Sequence, residues 1–116
     1  MLAPHELERL ERTLLPALER HHLRLLAHAL RTLQAIAEGT SDRPSAEAIS
    51  TWASQQPAIN GDQAFMTAFT NQMLAAAIQL EAIAAPLSLP ALALDLDDLV
   101  VWAEQQAQRR LSPPPN

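Results

Sequence analysis

Residues 7–36 read LERLERTLLPALERHHLRLLAHALRTLQAI. Leu7, Leu10, Leu14, Leu18, Leu25, Ala29, Leu33 and Ile36 recur at intervals of three, four and seven, the spacing that gathers side chains onto one stripe of an α-helix. Read this way the stripe stays in register across Pro16. Proline removes a backbone hydrogen bond and crowds the preceding turn, so a kink or break is expected between Arg12 and Leu15. Upstream, Pro4 suits a first helical turn, where its missing N–H would have had no partner. Downstream, Gly39 supplies a natural C-terminal cap.

Composition agrees with this pattern. Among 116 residues there are 22 Ala and 20 Leu, against seven Val plus Ile, four aromatics, two Gly and nine Pro, with no Cys, Tyr or Lys. Ala and Leu lose little side-chain freedom in a helix, whereas sheets favour the β-branched and aromatic residues that are scarce here. The expected fold is all-α: a four- to five-helix antiparallel bundle with a kink or break near Pro16, forming one domain over residues 1–111.

The remaining elements follow from local signals. Thr40 to Ser45, with Asp42, Arg43 and Pro44, reads as a loop. A short helix is predicted from about Ser45 to Gln56, burying Ala48, Ile49, Trp52 and Ala53 and stopped by Pro57. Asn60-Gly61 marks a turn, and Asp62 is placed to cap a helix over roughly Asp62 to Ala85, with Phe65, Phe69, Met73, Ala76, Leu80 and Ile83 on one face. Pro86 to Leu94 is apolar but interrupted by Pro90, so it is expected as a connection lying on the core. Asp95, Asp97 and Asp98 open a last helix and Arg109 and Arg110 close it, matching the helix dipole at both ends. Its expected buried residues are Leu96, Leu99, Val100, Ala103 and Ala107, with Trp102 at the margin. Residues 112–116, Ser-Pro-Pro-Pro-Asn, read as a disordered proline-rich tail.

The missing residue types exclude much chemistry. Without lysine there is no Schiff base and no Walker-type phosphate loop. Gly39 and Gly61 alone cannot build a glycine-rich dinucleotide turn or a nucleophile elbow. Without cysteine there are no disulfides, thiolate nucleophiles or iron–sulfur ligands. Asp95, Asp97 and Asp98 group together, but capping accounts for them. No enzyme activity and no cofactor are therefore expected. The opening Met1-Leu-Ala-Pro-His-Glu lacks the basic and apolar regions of a signal peptide, and Leu74 to Leu94 is broken by Gln79, Glu81, Pro86 and Pro90, so a soluble cytoplasmic protein with no membrane span is expected.

Net charge is −5 and uneven. Residues 1–58 hold six Arg against seven acids (−1), and residues 59–116 hold two Arg against six acids (−4). Such a chain suits nucleic acid poorly. One alternative uses Arg9, Arg20, Arg24 and Arg31, expected opposite the leucines, to grip phosphates. Another is a metal- or cofactor-binding bundle: Glu19 and His22 have the Glu-x-x-His spacing of di-iron bundles, with His28 further on, although no second copy exists. The plainer reading makes His21, His22 and His28 partly buried structural groups or a pH-sensitive contact.

The preferred reading is a small helical protein-interaction module: an adaptor, assembly factor or regulatory subunit. Leu74 and Ile78 lie on a second side of their helix, where a lone bundle would expose them, with Gln72 and Gln79 beside a run of small residues. That surplus apolar side points to a protein partner or a homodimer, unless the segment from Pro86 to Leu94 covers it.

Overall fold

The computed structural model describes residues 2–40, 42–57, 59 and 61–111, so the 112–116 tail and Asn60 lie outside the described residues. Within them are five α-helices and no strand: α1 (Pro4–Glu11), α2 (Ala17–Ala37), α3 (Ala46–Ser54), α4 (Gln63–Ala84) and α5 (Leu96–Leu111). Two 3₁₀ turns, Ala85–Leu87 and Ala91–Ala93, link α4 to α5. The all-helical fold and the break are as the sequence indicates.

Polar side chains set most of the boundaries. At α1 the Ala3 N–H donates to the Glu6 carboxylate (3.1 Å). The helix stops at Arg12, where the buried Thr13 hydroxyl donates to the Leu10 carbonyl at 2.8 Å. Pro16 then stands just before α2, its carbonyl accepting the first helical bond from the Arg20 N–H at 2.9 Å. Ser45 caps α3 by accepting from the Ala48 N–H (3.1 Å), and Asp62 caps α4 by accepting from the Phe65 N–H (2.9 Å). Asp95 and Asp98 cap α5 reciprocally, each carboxylate accepting the other's N–H at 2.9 and 3.0 Å. Gly39, at φ +90°, follows the end of α2 in a conformation that glycine adopts without a Cβ clash.

The chain divides into two compact units, residues 1–28 with 95–116, and residues 29–94, the division falling inside α2. In the first, the Arg9 Nε lies 3.4 Å from an Asp97 carboxylate oxygen, joining α1 to α5, and Arg24 of α2 pairs with Glu11 of α1. Its buried residues include Leu10, Leu15, Leu23, Leu26, Leu99, Val100, Ala103 and Ala107, while Leu96 and Trp102 are half-buried.

In the second unit α3 and both 3₁₀ turns pack against α4. Trp52 stacks on Phe69 with ring centroids 5.9 Å apart, and the Ser50 and Thr70 hydroxyls are hydrogen-bonded at 3.1 Å. Gln34 of α2 fastens the connection: its amide donates to the Leu92 carbonyl at 3.0 Å. Ala91, Leu92 and Leu94 are buried, so the second half of the proline-interrupted segment lies on the core as expected, whereas residues 86–90 are exposed.

Three expectations are corrected. The leucine stripe does not run through Pro16 in one register: Leu14 is 97% and Leu18 79% exposed, and Leu7 and Leu25 are exposed too. The buried side of α2 is Leu23, Leu26, Ala27 and Leu30 together with Ala29 and Leu33, the two residues of the expected stripe that are buried there. Residues 12–16 are not helical, so α2 starts a new helix and chooses its face independently of α1. In α4 Leu80 and Ile83 are buried as expected, but the rest of the buried side is Thr70, Ala77 and Ala84. Phe65 is exposed and Phe69, Met73 and Ala76 are only half-buried, because the face turns toward alanines that let neighbouring backbone approach. Ala48 of α3 is likewise exposed.

Candidate interaction surface

Helix α4 carries no ionisable side chain from Gln63 to Leu80, and Glu81 is its single charge. A helix facing water normally alternates charges along its outer side. Here Thr67, Asn71, Gln72, Ala75, Ile78 and Ala82 are exposed, while Leu74 and Gln79 are half-buried. Ile78 is 60% exposed, so the connection from Pro86 to Leu94 does not cover it. Leu74 sits one turn earlier, at the edge of the buried face beside Thr70. The strip is thus apolar and amide in character.

At its C-terminal end this strip reaches a cleft of about 270 Å³, lined by Asp42, Arg43 and Glu81 together with Ala85, Leu89 and Pro90. Arg43 Nε lies 3.2 Å from a Glu81 carboxylate oxygen, both side chains roughly half exposed. Asp42 has no partner among the described residues. Leu87 and Leu89 extend the exposed apolar surface beyond α4. Periodicity could not reveal this cleft, since it joins a loop near residue 42 to a connection near residue 90. The one available signal was the uncovered side of α4 on which Glu81 falls.

The first unit also exposes Leu14, ahead of α2, and Leu18 and Leu25 on α2, where His21 and His22 are exposed as well. Both histidines were expected partly buried; only His28 is. Among the described residues no three His, Cys, Asp or Glu side chains gather as a metal ion would require, so Glu19, His22 and His28 form no donor set.

The arginines do not make an open cationic row opposite the leucines. Arg9, Arg20, Arg24 and Arg31 are all half-buried, at the margin of the packed side. Arg9 is engaged by Asp97, Arg24 by Glu11, and Arg31 donates to the Gln34 side-chain carbonyl at 2.8 Å. Acids of their own unit already neutralise two of the charges a phosphate backbone would need.

What these residues make is an all-helical protein whose distinctive surface is apolar and amide, with ion pairs serving to join helices. The chain matches the family model described as NDH complex assembly factor CRR9 over residues 2–110, and it belongs to that family. Neither a curated protein nor a solved structure matches it significantly. Among the described residues no helix is long and apolar enough to cross a membrane.

Proposed function

We propose that this protein is a non-enzymatic assembly factor that works on an NDH complex by holding another polypeptide against the outward face of α4. Family membership supplies the process, and the observation that carries the mode of action is the exposed Ile78 on a helix without charge for its first eighteen residues. Interface centres are depleted in charge, and an uncharged strip can be desolvated without stranding an ion. Leu74 and Ile78 supply apolar contact, and Gln72 and Gln79 supply amides for its rim. A homodimer would use this same strip, so self-association and partner binding would compete for it.

The test is Ile78→Asp in cells that depend on the protein, with circular dichroism confirming an intact helical fold. A charge at the centre of a desolvated contact removes the hold, and accumulation of the NDH complex falls sharply. Normal accumulation with the variant folded and present at normal level overturns the reading. Light scattering of the purified chain addresses the dimer separately: a strict monomer removes self-association and leaves the partner.

A further inference from the structure

The cleft at the end of the α4 strip carries a specific chemical preference. Its carboxylates, Asp42 and Glu81, outnumber its one cation, Arg43, giving a local charge of −1. Glu81 and Arg43 hold each other at 3.2 Å, which leaves the Asp42 carboxylate as the group without a partner among the described residues. The rest of the lining is aliphatic: Ala85, Leu89, Pro90 and Ala91. At about 270 Å³ the cavity is smaller than the roughly 300–1,000 Å³ of small-molecule sites, and suits one extended side chain.

Resting on the α4 reading above, we infer that this cleft receives a lysine side chain of the docked partner protein. The aliphatic stem lies along Leu89 and Pro90 and the ammonium group meets Asp42, the arrangement in which a long basic side chain buries its methylenes and keeps its head among oxygens. Charge complementarity selects a cation over an anion. A second copy of this chain contains no lysine and would have to meet Asp42 with an arginine instead. The partner segment so described places apolar residues on Leu74 and Ile78 and a lysine beyond them.

The experiment uses the full chain, isotopically labelled, and the probe Nα-acetyl-lysine amide at constant ionic strength, with acetyl-norleucine amide and inorganic phosphate as comparison probes. The expected result is saturable movement of the Ala85, Leu89 and Ala91 backbone signals with the lysine probe only. Asp42→Asn weakens that binding about two- to fivefold, the value of an exposed ion pair. Movement with phosphate and not with lysine makes Arg43 an anion site and overturns the inference, as does no movement with any probe up to the highest lysine concentration. A cellular arm separates the two proposals: Asp42→Arg is expected to lower NDH complex accumulation less than Ile78→Asp does. An effect of Ile78→Asp with none of Asp42→Arg overturns the lysine contact alone, whereas normal accumulation with Ile78→Asp overturns the α4 reading.

Discussion

Along α2, a 21-residue helix, four leucines form the buried side, and Glu19, Arg20, Arg24 and Arg31 border it at half-buried positions. Along α4, of 22 residues, two alanines and a threonine share the buried side with Leu80 and Ile83, and the outer side is uncharged until Glu81. Helix α2 thus buries four leucines with charged side chains along the seam, while Leu18 and Leu25 in its first half stay outside. Helix α4 buries small residues and leaves an isoleucine outside. When a helix presents small side chains to its neighbours, those neighbours come close, and its larger apolar residues fall elsewhere on the wheel. The second arrangement is what a surface for another chain requires.

If that contrast is correct, Leu30 and Ile78 differ more than any other pair of positions. Leu30, 1% exposed, is expected to cost about 2–5 kcal/mol when cut to alanine, since transfer energy is lost and a cavity remains. Ile78→Ala is expected to change stability by less than about 0.5 kcal/mol, as exposed positions do. Urea unfolding of both variants measures the gap. Equal losses would mean that Ile78 is a packing residue and the contrast between the helices is wrong.

A smaller effect is expected where α4 depends on close approach. Ala77→Leu inserts a large side chain at a fully buried position against the elements packed on α4, and is expected to cost about 1–3 kcal/mol by overpacking. Its midpoint should fall well below that of Ile78→Leu, which changes nothing buried. Tolerance of leucine at 77 would show slack packing and remove the reason given for the exposed strip. Smaller again is Asp62→Ala, which strands the Phe65 N–H and is expected to cost about 1 kcal/mol. Hydrogen exchange should then quicken in the first turn of α4 while the amides near Leu80 stay protected.

The sequence made the local features readable. Ser45, Asp62 and Asp95 announce helix starts because a side-chain oxygen reaches an N–H only a few residues away, and Pro16 announces the break for an equally local reason. What required tertiary knowledge was phase. Reading Leu14, Leu18 and Leu25 as one stripe with Leu33 assumed that rotation is conserved through the break. Once residues 12–16 leave the helix nothing enforces this, and all three leucines are exposed. The α4 strip was half readable: surplus apolarity pointed to Leu74 and Ile78, but only the fold shows Leu74 partly covered. The cleft was not readable, since Arg43 and Glu81 are brought together by the packing of α4 and its neighbours, which no local spacing encodes.

The smallest expected effect bears on the one charge that α4 possesses. Arg43 and Glu81 each keep nearly half of their side-chain surface in contact with solvent. Water screens their attraction, and holding two long side chains together costs rotamer freedom, so Glu81→Gln is expected to destabilise by less than about 1 kcal/mol. Salt screens an exposed pair further, and the difference from the unsubstituted chain should shrink as ionic strength is raised from 0.01 M, where the Debye length is about 30 Å, to 1 M, where it is about 3 Å. Denaturant unfolding at the two salt concentrations reads both quantities. A larger loss that salt leaves unchanged would mean that the pair is an enclosed anchor, and α4 would then be fastened at its C-terminal end by charge as well as by packing. A small, salt-sensitive loss instead leaves Glu81 as a group that can reorganise when a partner arrives, which is what the uncharged strip beside it needs from its end.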